Sequence, residues 1–410
     1  MKRSIAIVGI NYSPELTGIP VYNTGMAEYL VNKGFDVTVY TAFSYYPDWL
    51  KREEDKRRLF KRETINNVKI RRSCLYVPNP VNTIKRIIHE LSFVVSSSVN
   101  YLMGPRADLT IVVSPPLLAG LPIRLLSRLK RSRILFHVQD LQPDAAIELG
   151  MLKNRLFAKI LHKIEKAIYD RVDWVSTISS GMLDRILQKG VAEKRAFLLR
   201  NWGNDDVVAP QSKDNEYRSE HSLKGKYVVL YAGNFGVKQG LDILVEVAEI
   251  LKGNTDIHFL MAGNGAVKNQ LVQYITSKSI DNITFLPPQP FENLSDLLAT
   301  ADVSIIPQRK EAKDIVLPSK VLNIMASGRP VIATAEPDSE LGRIINNANC
   351  GLLVEPGNAE DLSKAIIHLK DNPDEAEVFG INGRDYLDKH FTKDRILAGF
   401  VQKIDEMLKE

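Results

Sequence analysis

Short runs rich in valine, isoleucine and leucine alternate with longer helical patterns along the whole chain. Runs of this kind, bounded by glycine, proline or asparagine, are typical of buried strands. We expect strands at residues 4–10, 36–42, 109–116, 133–140, 174–179, 227–233, 257–263, 283–287, 303–307 and 351–356. Strands that alternate with helices form parallel sheets with helices on both faces. The alternation therefore predicts an α/β fold with doubly wound sheets.

The chain length indicates two domains, because 410 residues exceed what one hydrophobic core normally holds. A polar, turn-rich stretch at residues 203–225 separates two series of strands, so we predict the interdomain linker there. The predicted domains are two Rossmann-like units, residues 1–202 and 226–383, facing each other across a cleft. A last helix at residues 384–410 is expected to return to the first domain. Ligands of such folds bind at the carboxyl ends of the strands.

Charge is divided unevenly between the two halves. Residues 1–200 carry 32 Lys and Arg against 18 Asp and Glu, whereas residues 201–410 carry 22 against 31. The excess of positive charge in the first half predicts an anionic partner, such as a membrane surface, a phosphorylated substrate or nucleic acid. Nucleic acid explains it least well, since the sequence contains no recognised nucleic-acid module. Cys74 and Cys350 form no disulfide framework, and a reducing interior is expected.

Two segments of the first half combine basic with apolar residues. Residues 48–64, which read DWLKREEDKRRLFKRET, predict an exposed helix or lid. Residues 82–104 mix Lys85 and Arg86 with isoleucine and leucine. One interpretation is that this segment and residues 51–62 rest on an anionic membrane surface. The other is a core-packed helix beside a solvated charged helix. No apolar run reaches the ~20 residues of a membrane span.

Residues 314–334, DIVLPSKVLNIMASGRPVIAT, predict a helix that begins on Pro318, Ser319 and Lys320. Proline suits the first helical turn because it has no N–H to leave unpaired. Free backbone amides, the serine hydroxyl and the lysine would then converge on an anion. A proline-started helix with a surface lysine is the ordinary alternative.

Two glycine-bearing turns precede this helix. Residues 233–244, GNFGVKQGLDIL, place Gly236 and Lys238 between a strand and a helix, and residues 261–267, MAGNGAV, follow the next strand. Glycine lets a backbone approach a ligand closely. Each motif alone is an ordinary strand-to-helix turn. Together, Lys238, Lys320 and two helix starts on one face predict a diphosphate site.

The first half contributes a loop and a strand end. The loop NYSPELTGIPVY, residues 11–22, carries Gly18 immediately before a helix. No Gly-x-Gly-x-x-Gly pattern follows the first strand, which argues against a dehydrogenase. The segment HVQD ends another strand with His137 and Asp140, over the predicted cleft. A histidine at such a place is as often structural as functional.

These motifs, in this order and spacing, resemble the retaining nucleotide-sugar glycosyltransferases of family four, which have the GT-B fold. The likeness rests on INYSPELTGIPVYNTGMAEYLVNKGFDVTVYTA, HVQD, NFGVKQGLD, MAGNG and LPSKVLNIMASGRPVIAT, and covers nearly the whole chain. It is greatest to the WbuB/WcaI-like branch, the fucosaminyl- and fucosyltransferases that build O-antigen, capsule or exopolysaccharide repeat units.

The resemblance implies a role for each site residue. Thr17 and Gly18 would lie in the loop over the donor diphosphate, His137 would lie at the sugar, and Asp140 would orient the acceptor. Residues expected to meet the nucleotide and its diphosphate are Asn234, Gly236, Lys238, Gly263, Asn264, Gly265, Pro318, Ser319, Lys320 and Asn323. The predicted catalytic residues are His137, Asp140, Lys238 and Lys320.

The sequence departs from the family pattern at two places. Asn234 stands where most members have arginine, and Ile315 and Asn323 stand where they have a pair of glutamates. The second glutamate holds the ribose, and asparagine can still hydrogen-bond a ribose hydroxyl. Lys320 would compensate for the missing arginine, because both act on the same phosphates.

The resemblance also implies the reaction. It is transfer with retention, without metal or cofactor, from a nucleotide sugar to a sugar on polyprenyl diphosphate, in bacterial surface polysaccharide (lipopolysaccharide or capsule) synthesis. UDP is favoured over GDP, and N-acetyl-L-fucosamine or a related deoxy-sugar is expected. The expected location is cytoplasmic, peripheral on the inner face of the cytoplasmic membrane, in contact with anionic lipid. Two alternatives remain open. One is a nucleotide-sugar 2-epimerase, which the lack of acids at Ile315 and Asn323 disfavours. The other is a non-catalytic subunit that binds nucleotide sugar.

Overall fold

The computed structural model describes residues 2–15, 18–46, 48–148, 155–310 and 320–409. Contacts divide the chain into two compact units, Met1–Arg200 with Leu397–Glu410, and Asn201–Ile396. Each unit is built around its own sheet, as the alternation of strands and helices predicts. Within the described residues, no helix is both long and apolar enough to cross a membrane.

The first unit has an eight-stranded sheet of order β3-β4-β2-β1-β5-β6-β7-β8. Its strands are β1 (Ser4–Val8), β2 (Asp36–Ala42), β3 (Phe60–Ile65), β4 (Val68–Ser73), β5 (Leu109–Ser114), β6 (Arg133–Val138), β7 (Trp174–Thr177) and β8 (Ala196–Leu198). The helices are α1 (Ile19–Asn32), α2 (Thr83–Leu102), α3 (Gly120–Leu129), α4 (Gln142–Glu148), α5 (Arg155–Tyr169) and α6 (Ser180–Gln188). Neighbouring strands are parallel except β3 and β4. All of β5 is buried, because helices cover both faces of the sheet there.

The prediction of an exposed helix or lid at residues 48–64 is wrong. A single 3-10 turn at Glu53–Asp55 is followed by β3, which pairs antiparallel with β4 at the edge of the sheet. Side chains of β3 alternate between more and less exposed, and Glu63 forms an ion pair with Arg72 of β4. Charged side chains on an edge strand discourage pairing with other chains. That requirement explains the density of charge that suggested a solvated helix.

The second unit has a six-stranded sheet of order β11-β10-β9-β12-β13-β14, parallel throughout. Its strands are β9 (Tyr227–Ala232), β10 (Ile257–Ala262), β11 (Ile283–Leu286), β12 (Val303–Pro307), β13 (Val331–Thr334) and β14 (Gly351–Val354). The helices are α7 (Glu216–Glu220), α8 (Asp242–Ile250), α9 (Lys268–Ser277), α10 (Leu294–Ala299), α11 (Lys320–Ala326), α12 (Glu340–Ala348), α13 (Ala359–Asp371) and α14 (Pro373–His390). Its hydrophobic core packs around Val229, Phe259 and Ile305 of the central strands.

Residues 203–225, predicted as a linker, pack within the second unit. The buried guanidinium of Arg218 donates to the carbonyl oxygen of Thr300 at 2.8 Å and to the carboxylate of Asp302 at 2.5 Å. The boundary between the first unit and the second lies between Arg200 and Asn201.

The last helix, α15 (Lys393–Lys409), begins later than the predicted residue 384, because residues 384–390 complete α14. From Leu397 onward α15 belongs to the first unit. The Arg133 guanidinium donates to the carbonyl oxygen of Met407 at 2.7 Å, and the rings of Phe400 and Phe197 stack 6.4 Å apart.

Candidate active site

The turns that follow β9 and β10 are tied together at the carboxyl end of the second sheet. The N–H of Gly233 donates to the carbonyl of Ala262 at 2.8 Å, and that of Phe235 donates to the carbonyl of Asn264 at 2.9 Å. Gly263 has φ of 154°, which side chains rarely adopt, and a Cβ there would lie 1.9 Å from the carbonyl oxygen of Gly233. Glycine at 263 is therefore required for this close approach.

Lys320, the first residue of α11, lies against the β9 turn. Its Nζ donates to the hydroxyl of Tyr231 at 2.5 Å and lies 4.0 Å from the centre of the Tyr231 ring. A Cβ on Gly233 would lie 2.3 Å from the same Nζ. The ammonium group is thus held between an aromatic face and a glycine, an arrangement that contributes a cation–π attraction.

Burial alters the acidity of both partners. Lys320 borders a mainly apolar cavity with Leu230, Ile305 and Ile324. Desolvation lowers the pKa of Lys320 to about 7 and raises the pKa of Tyr231. Among the described residues, desolvation is the one cause of the lowered pKa of Lys320. An anion that approached this lysine would favour its charged form.

Tyr231 connects Lys320 to the adjoining turn. Its hydroxyl accepts from Lys320 and donates to the carbonyl oxygen of Asn234 at 2.7 Å. Sequence reasoning missed Tyr231 because it was assigned to a buried strand. Its place two residues before the glycine turn is the signal that could have identified it.

The exposed side chain of Asn234 lies between two glycines. A Cβ on Gly236 would come within 3.0 Å of its Nδ2, and a Cβ on Gly265 within 2.8 Å of its Oδ1. Asn264 is also exposed, and its Oδ1 accepts from the N–H of Gly265 at 2.9 Å. The structure therefore brings together Asn234, Gly236, Gly263, Asn264, Gly265 and Lys320 at one end of the second sheet.

Asn323, one turn along α11, has a structural partner. Its Oδ1 accepts from the backbone N–H of Asn204 at 3.2 Å and from Nδ2 of Asn204 at 3.1 Å. Two donors on this oxygen make the Nδ2 group of Asn323 the part suited to meet a ribose hydroxyl. The Asn204 contact was not predicted, since it joins residues far apart in sequence.

Several predicted site residues lie outside the described part of the chain. They are Thr17, Ile315, Pro318, Ser319 and the side chain of Lys238. The diphosphate contacts predicted for Thr17, Lys238, Pro318 and Ser319 stay predictions.

In the first unit, a buried carboxylate holds the loop after β1. Oε1 of Glu15 accepts from the backbone N–H groups of Tyr45 at 2.9 Å and Tyr46 at 3.0 Å, while Oε2 accepts from Asn11 at 2.8 Å. Gly18 is the N-cap of α1, with φ of 79°, and a Cβ there would meet none of the described atoms within 4 Å. Sequence reasoning singled out Gly18 but missed Glu15, the residue that anchors its loop.

His137 is buried in β6 and both of its ring nitrogens have partners. The amide Nε2 of Gln139 donates to His137 Nε2 at 3.0 Å, so the ring proton resides on Nδ1, which donates to Ser176 Oγ at 2.9 Å. Desolvation lowers the pKa of His137 to about 4. The imidazole is therefore neutral at pH 7, and proton transfer through it would require breaking one of these hydrogen bonds.

Asp140 follows β6 and is half-buried. It contributes to the electrostatic field at Glu90 of α2, whose pKa is raised mainly by burial and also by the negative charge of Asp140. Glu90 in turn accepts from Gln142 at 3.2 Å. Glu90, which the sequence did not single out, thus lies at the same end of the first sheet as Asp140.

One cluster of potential metal ligands occurs among the described residues, formed by Asp144, His162 and Glu165. The Nζ of Lys189 lies 2.5 Å from Asp144 Oδ2 and 2.7 Å from Glu165 Oε2. The lysine supplies the cation that these carboxylates require, so the cluster is an ion-pair network that joins α4, α5 and the end of α6.

Comparison with known proteins establishes the family. Residues 17–202 match the family described as glycosyl transferase 4-like domain, and residues 212–386 match glycosyl transferases group 1. The chain is 34% identical to the putative colanic acid biosynthesis glycosyl transferase WcaI of Escherichia coli K12, over 98% of this chain and 99% of that protein. The chain belongs to the group 1 glycosyl transferases.

A more distant relative is the probable glycosyltransferase WbjE of Pseudomonas aeruginosa. It is 24% identical over 64% of this chain and 66% of its own.

Solved structures agree on the fold. Sucrose-phosphate synthase of Thermosynechococcus elongatus superposes with a TM-score of 0.77 at 20% identity, covering 100% of both chains. Anabaena HepE in complex with UDP-glucose gives a TM-score of 0.73 at 12% identity, covering 98% of this chain and 99% of HepE. The glycosyltransferase fold is GT-B, as predicted.

Proposed function

We propose that this glycosyltransferase moves a deoxy-sugar from a UDP donor to a sugar carried on polyprenyl diphosphate, with retention of configuration and without a metal or cofactor. The observation that carries the proposal is the position of Lys320, whose ammonium lies against Gly233 and Tyr231 at the carboxyl end of the second sheet. Parallel α/β sheets bind ligands at that end. N-acetyl-L-fucosamine is the first sugar to test.

The donor is proposed to be bound by the second unit. The adjoining turns at Gly233 and Gly263 let a nucleotide approach the backbone, and Asn234 and Asn264 present exposed amides beside them. Support for UDP comes from HepE, which was solved with UDP-glucose and with UDP. A GDP-sugar is the second candidate.

The chemistry proposed for Lys320 follows from its environment. As the bond between sugar and diphosphate breaks, negative charge grows on the leaving phosphate. A lysine with a pKa of about 7 takes up or retains a proton when that charge approaches. One preorganised group of this kind contributes roughly 2–4 kcal/mol to stabilisation of the transition state. Lys238 and the amides around Ser319 are proposed to act on the same phosphates.

The proposed reaction uses no side chain as a general base. His137 is neutral with both nitrogens hydrogen-bonded, so we assign it to shaping the sugar side of the site rather than to proton transfer. The departing phosphate oxygen would take the proton of the acceptor hydroxyl, as the sugar bond forms on the same face. Asp140, at the end of the first sheet, is proposed to orient the acceptor.

The proposed acceptor and location rest on relatives. WcaI is named for colanic acid biosynthesis, and WaaG, a structural neighbour with a TM-score of 0.68, for lipopolysaccharide biosynthesis. The enzyme is therefore proposed to act in the synthesis of a bacterial surface polysaccharide. The growing sugar would be carried on polyprenyl diphosphate at the inner face of the cytoplasmic membrane. A cytoplasmic enzyme that binds this membrane peripherally would meet both substrates.

Nucleotide release from the isolated protein tests the proposal. Thermal-shift measurements with UDP, GDP and their sugars would first select the donor. Release of nucleotide only when a polyprenyl-diphosphate sugar is present, unchanged by EDTA, is the expected result. A 2-epimer formed without acceptor would instead indicate an epimerase, and binding without turnover would indicate a nucleotide-sugar-binding subunit. Loss of turnover in EDTA would contradict the metal-independent mechanism.

A further inference from the structure

Helix α2 buries several polar side chains and exposes most of its apolar ones. Its buried residues include four polar ones, His89, Ser96, Ser97 and Asn100. Asn100 Nδ2 donates to the carbonyl of Arg72 at 3.1 Å, and His89 Nδ1 donates to the carbonyl of Tyr76 at 2.5 Å. The polar face is therefore built into the first unit by hydrogen bonds. Most apolar residues of α2 lie on the other side of the helix and are exposed.

The opposite face of α2 is an apolar stripe. Its members, exposed by 41–71%, are Ile84, Ile88, Leu91, Val95, Val99 and Leu102. At about 100° of rotation per residue all six fall within an arc of ~80°, along a helix ~30 Å in length. Helices of globular proteins normally bury such a stripe. A contiguous exposed one indicates an interaction surface.

Neighbouring segments extend this surface. Helix α3 packs beside the end of α2, where Ser127 Oγ lies 3.0 Å from the hydroxyl of Tyr101, and it exposes Leu125 and Leu129. On the buried face of α2, the ring of Trp49 lies 5.2 Å from that of His89, and the residue after Trp49, Leu50, is exposed. We call the stripe of α2 together with Leu125 and Leu129 the α2–α3 surface.

Positive charge accompanies the α2–α3 surface. Residues 91–139 contain six Lys and Arg and only one acidic residue, Asp108. Residues 51–62, which follow Leu50, contain seven Lys and Arg against three acids. A second copy of the chain, packed symmetrically on this face, would bring like charges together. An anionic lipid surface would attract the positive charge and would also bury the apolar stripe.

We propose that the α2–α3 surface lies along an anionic bilayer, with the stripe of α2 inserted about 5–10 Å into the headgroup and acyl boundary. Within residues 82–104, which one interpretation of the sequence rests on the membrane, Phe93 and Val94 are buried and take no part in this surface. The proposed function supplies only the purpose of this surface: such a bilayer would present the lipid-linked acceptor.

Co-sedimentation with vesicles tests the surface without any substrate. The protein is mixed with vesicles of phosphatidylglycerol and phosphatidylcholine, or of phosphatidylcholine alone, at low and high salt. The test variant combines Ile88→Ser, Val95→Ser and Val99→Ser. The control combines Ile250→Ser, Val378→Ser and Ile381→Ser, which are 49–55% exposed in the second unit. A further variant, Arg128→Glu, removes an exposed positive charge beside Leu129.

We expect binding to the anionic vesicles that falls at least tenfold in the triple test variant and is unchanged in the control. Arg128→Glu should weaken binding at low salt more than at high salt. Equal binding by wild type and the triple variant, or no binding by either, would overturn the proposal. So would a dimer in sedimentation velocity that the triple variant abolishes, which would assign the surface to a second copy.

A separate readout distinguishes this inference from the proposed function. Nucleotide release with a water-soluble acceptor analogue should be retained by the triple variant, because its substitutions lie outside the donor site. Vesicle binding with no transferase activity in wild type would uphold the surface and refute the transferase. Transferase activity without vesicle binding would uphold the transferase and refute the membrane surface.

Discussion

The ammonium nitrogen of Lys320 lies 2.5 Å from the hydroxyl oxygen of Tyr231, whose hydroxyl in turn donates to the carbonyl of Asn234 at 2.7 Å. This chain of hydrogen bonds joins the first residue of α11 to the turn after β9. It fixes the proposed phosphate-binding lysine before any donor arrives. Preorganisation of a charged group is what makes it effective in a transition state.

Tyr231→Phe removes the hydroxyl and keeps the ring. We expect kcat/KM to fall about tenfold, or ~1.4 kcal/mol, because Lys320 loses its hydrogen-bond acceptor but keeps the aromatic face. Tyr227→Phe is the matched control, since the Tyr227 hydroxyl is buried in the same strand and no described residue forms a hydrogen bond with it. Equal kinetics for the two variants would remove the Tyr231 hydroxyl from the account.

Gly233→Ala places a methyl group where the Lys320 side chain lies. The new Cβ would be 2.3 Å from Nζ, and the φ of 145° at this position disfavours a side chain. Lys320 must therefore move, and we expect kcat/KM to fall about 100-fold, ~2.7 kcal/mol. Gly253→Ala, where a Cβ meets no atom of the described residues within 4 Å, should change kcat/KM little. Wild-type kinetics in the Gly233 variant would contradict the proposed position of the lysine.

Donor binding should depend on pH through Lys320. Its pKa of about 7 means that the group is charged below pH 7 and largely neutral above it. A bound diphosphate favours the charged form and raises this pKa, so binding at pH 8 requires uptake of a proton whereas binding at pH 6 requires little. Affinity for UDP-glucose should weaken as pH rises from 7 to 8.5.

Calorimetry in buffers of different ionisation enthalpy measures that uptake. Wild type should take up close to one proton per donor at pH 8, and Lys320→Met should take up none. A pH-independent affinity with no proton uptake in wild type would show that the lysine does not meet the diphosphate.

Asn323 has a structural role that its family position does not suggest. Asn323→Ala leaves the Asn204 N–H without its acceptor, and we expect a loss of ~1–2 kcal/mol in the free energy of unfolding. Asn323→Asp keeps an acceptor oxygen and should retain most of that stability. Urea denaturation checks both. If Asn323→Ala instead raised KM for the donor with stability unchanged, the ribose contact would be its main role.

The sequence predicted the central strands of both sheets because parallel strands are continuous apolar runs, as in β5 and β12, but the predicted strands did not include β4, β8 or β13. It failed at residues 48–64, where an edge strand carries charge for protection and therefore has the composition of a solvated helix. It also failed to separate the faces of α2, since periodicity identifies an apolar stripe but not whether the stripe or its polar opposite faces the core.

The candidate site was predictable where backbone geometry constrains residue type. Gly263 allows a close approach that any Cβ would prevent, and this requirement is visible in the sequence. Tyr231 and Glu15 were missed because their partners lie far away in the chain or on the backbone. The contact between Asn323 and Asn204 depends on how α11 packs, which local patterns do not encode.

Turnover by Lys320→Ala tests most directly whether Lys320 stabilises the leaving diphosphate. Nucleotide release with donor and lipid-linked acceptor should fall at least 100-fold in kcat, with the unfolding midpoint in urea unchanged or raised, because a desolvated amine is removed. Lys252→Ala, an exposed lysine of the same unit, should behave as wild type. A Lys320→Ala enzyme with wild-type kcat would show that Lys320 does not stabilise the leaving diphosphate.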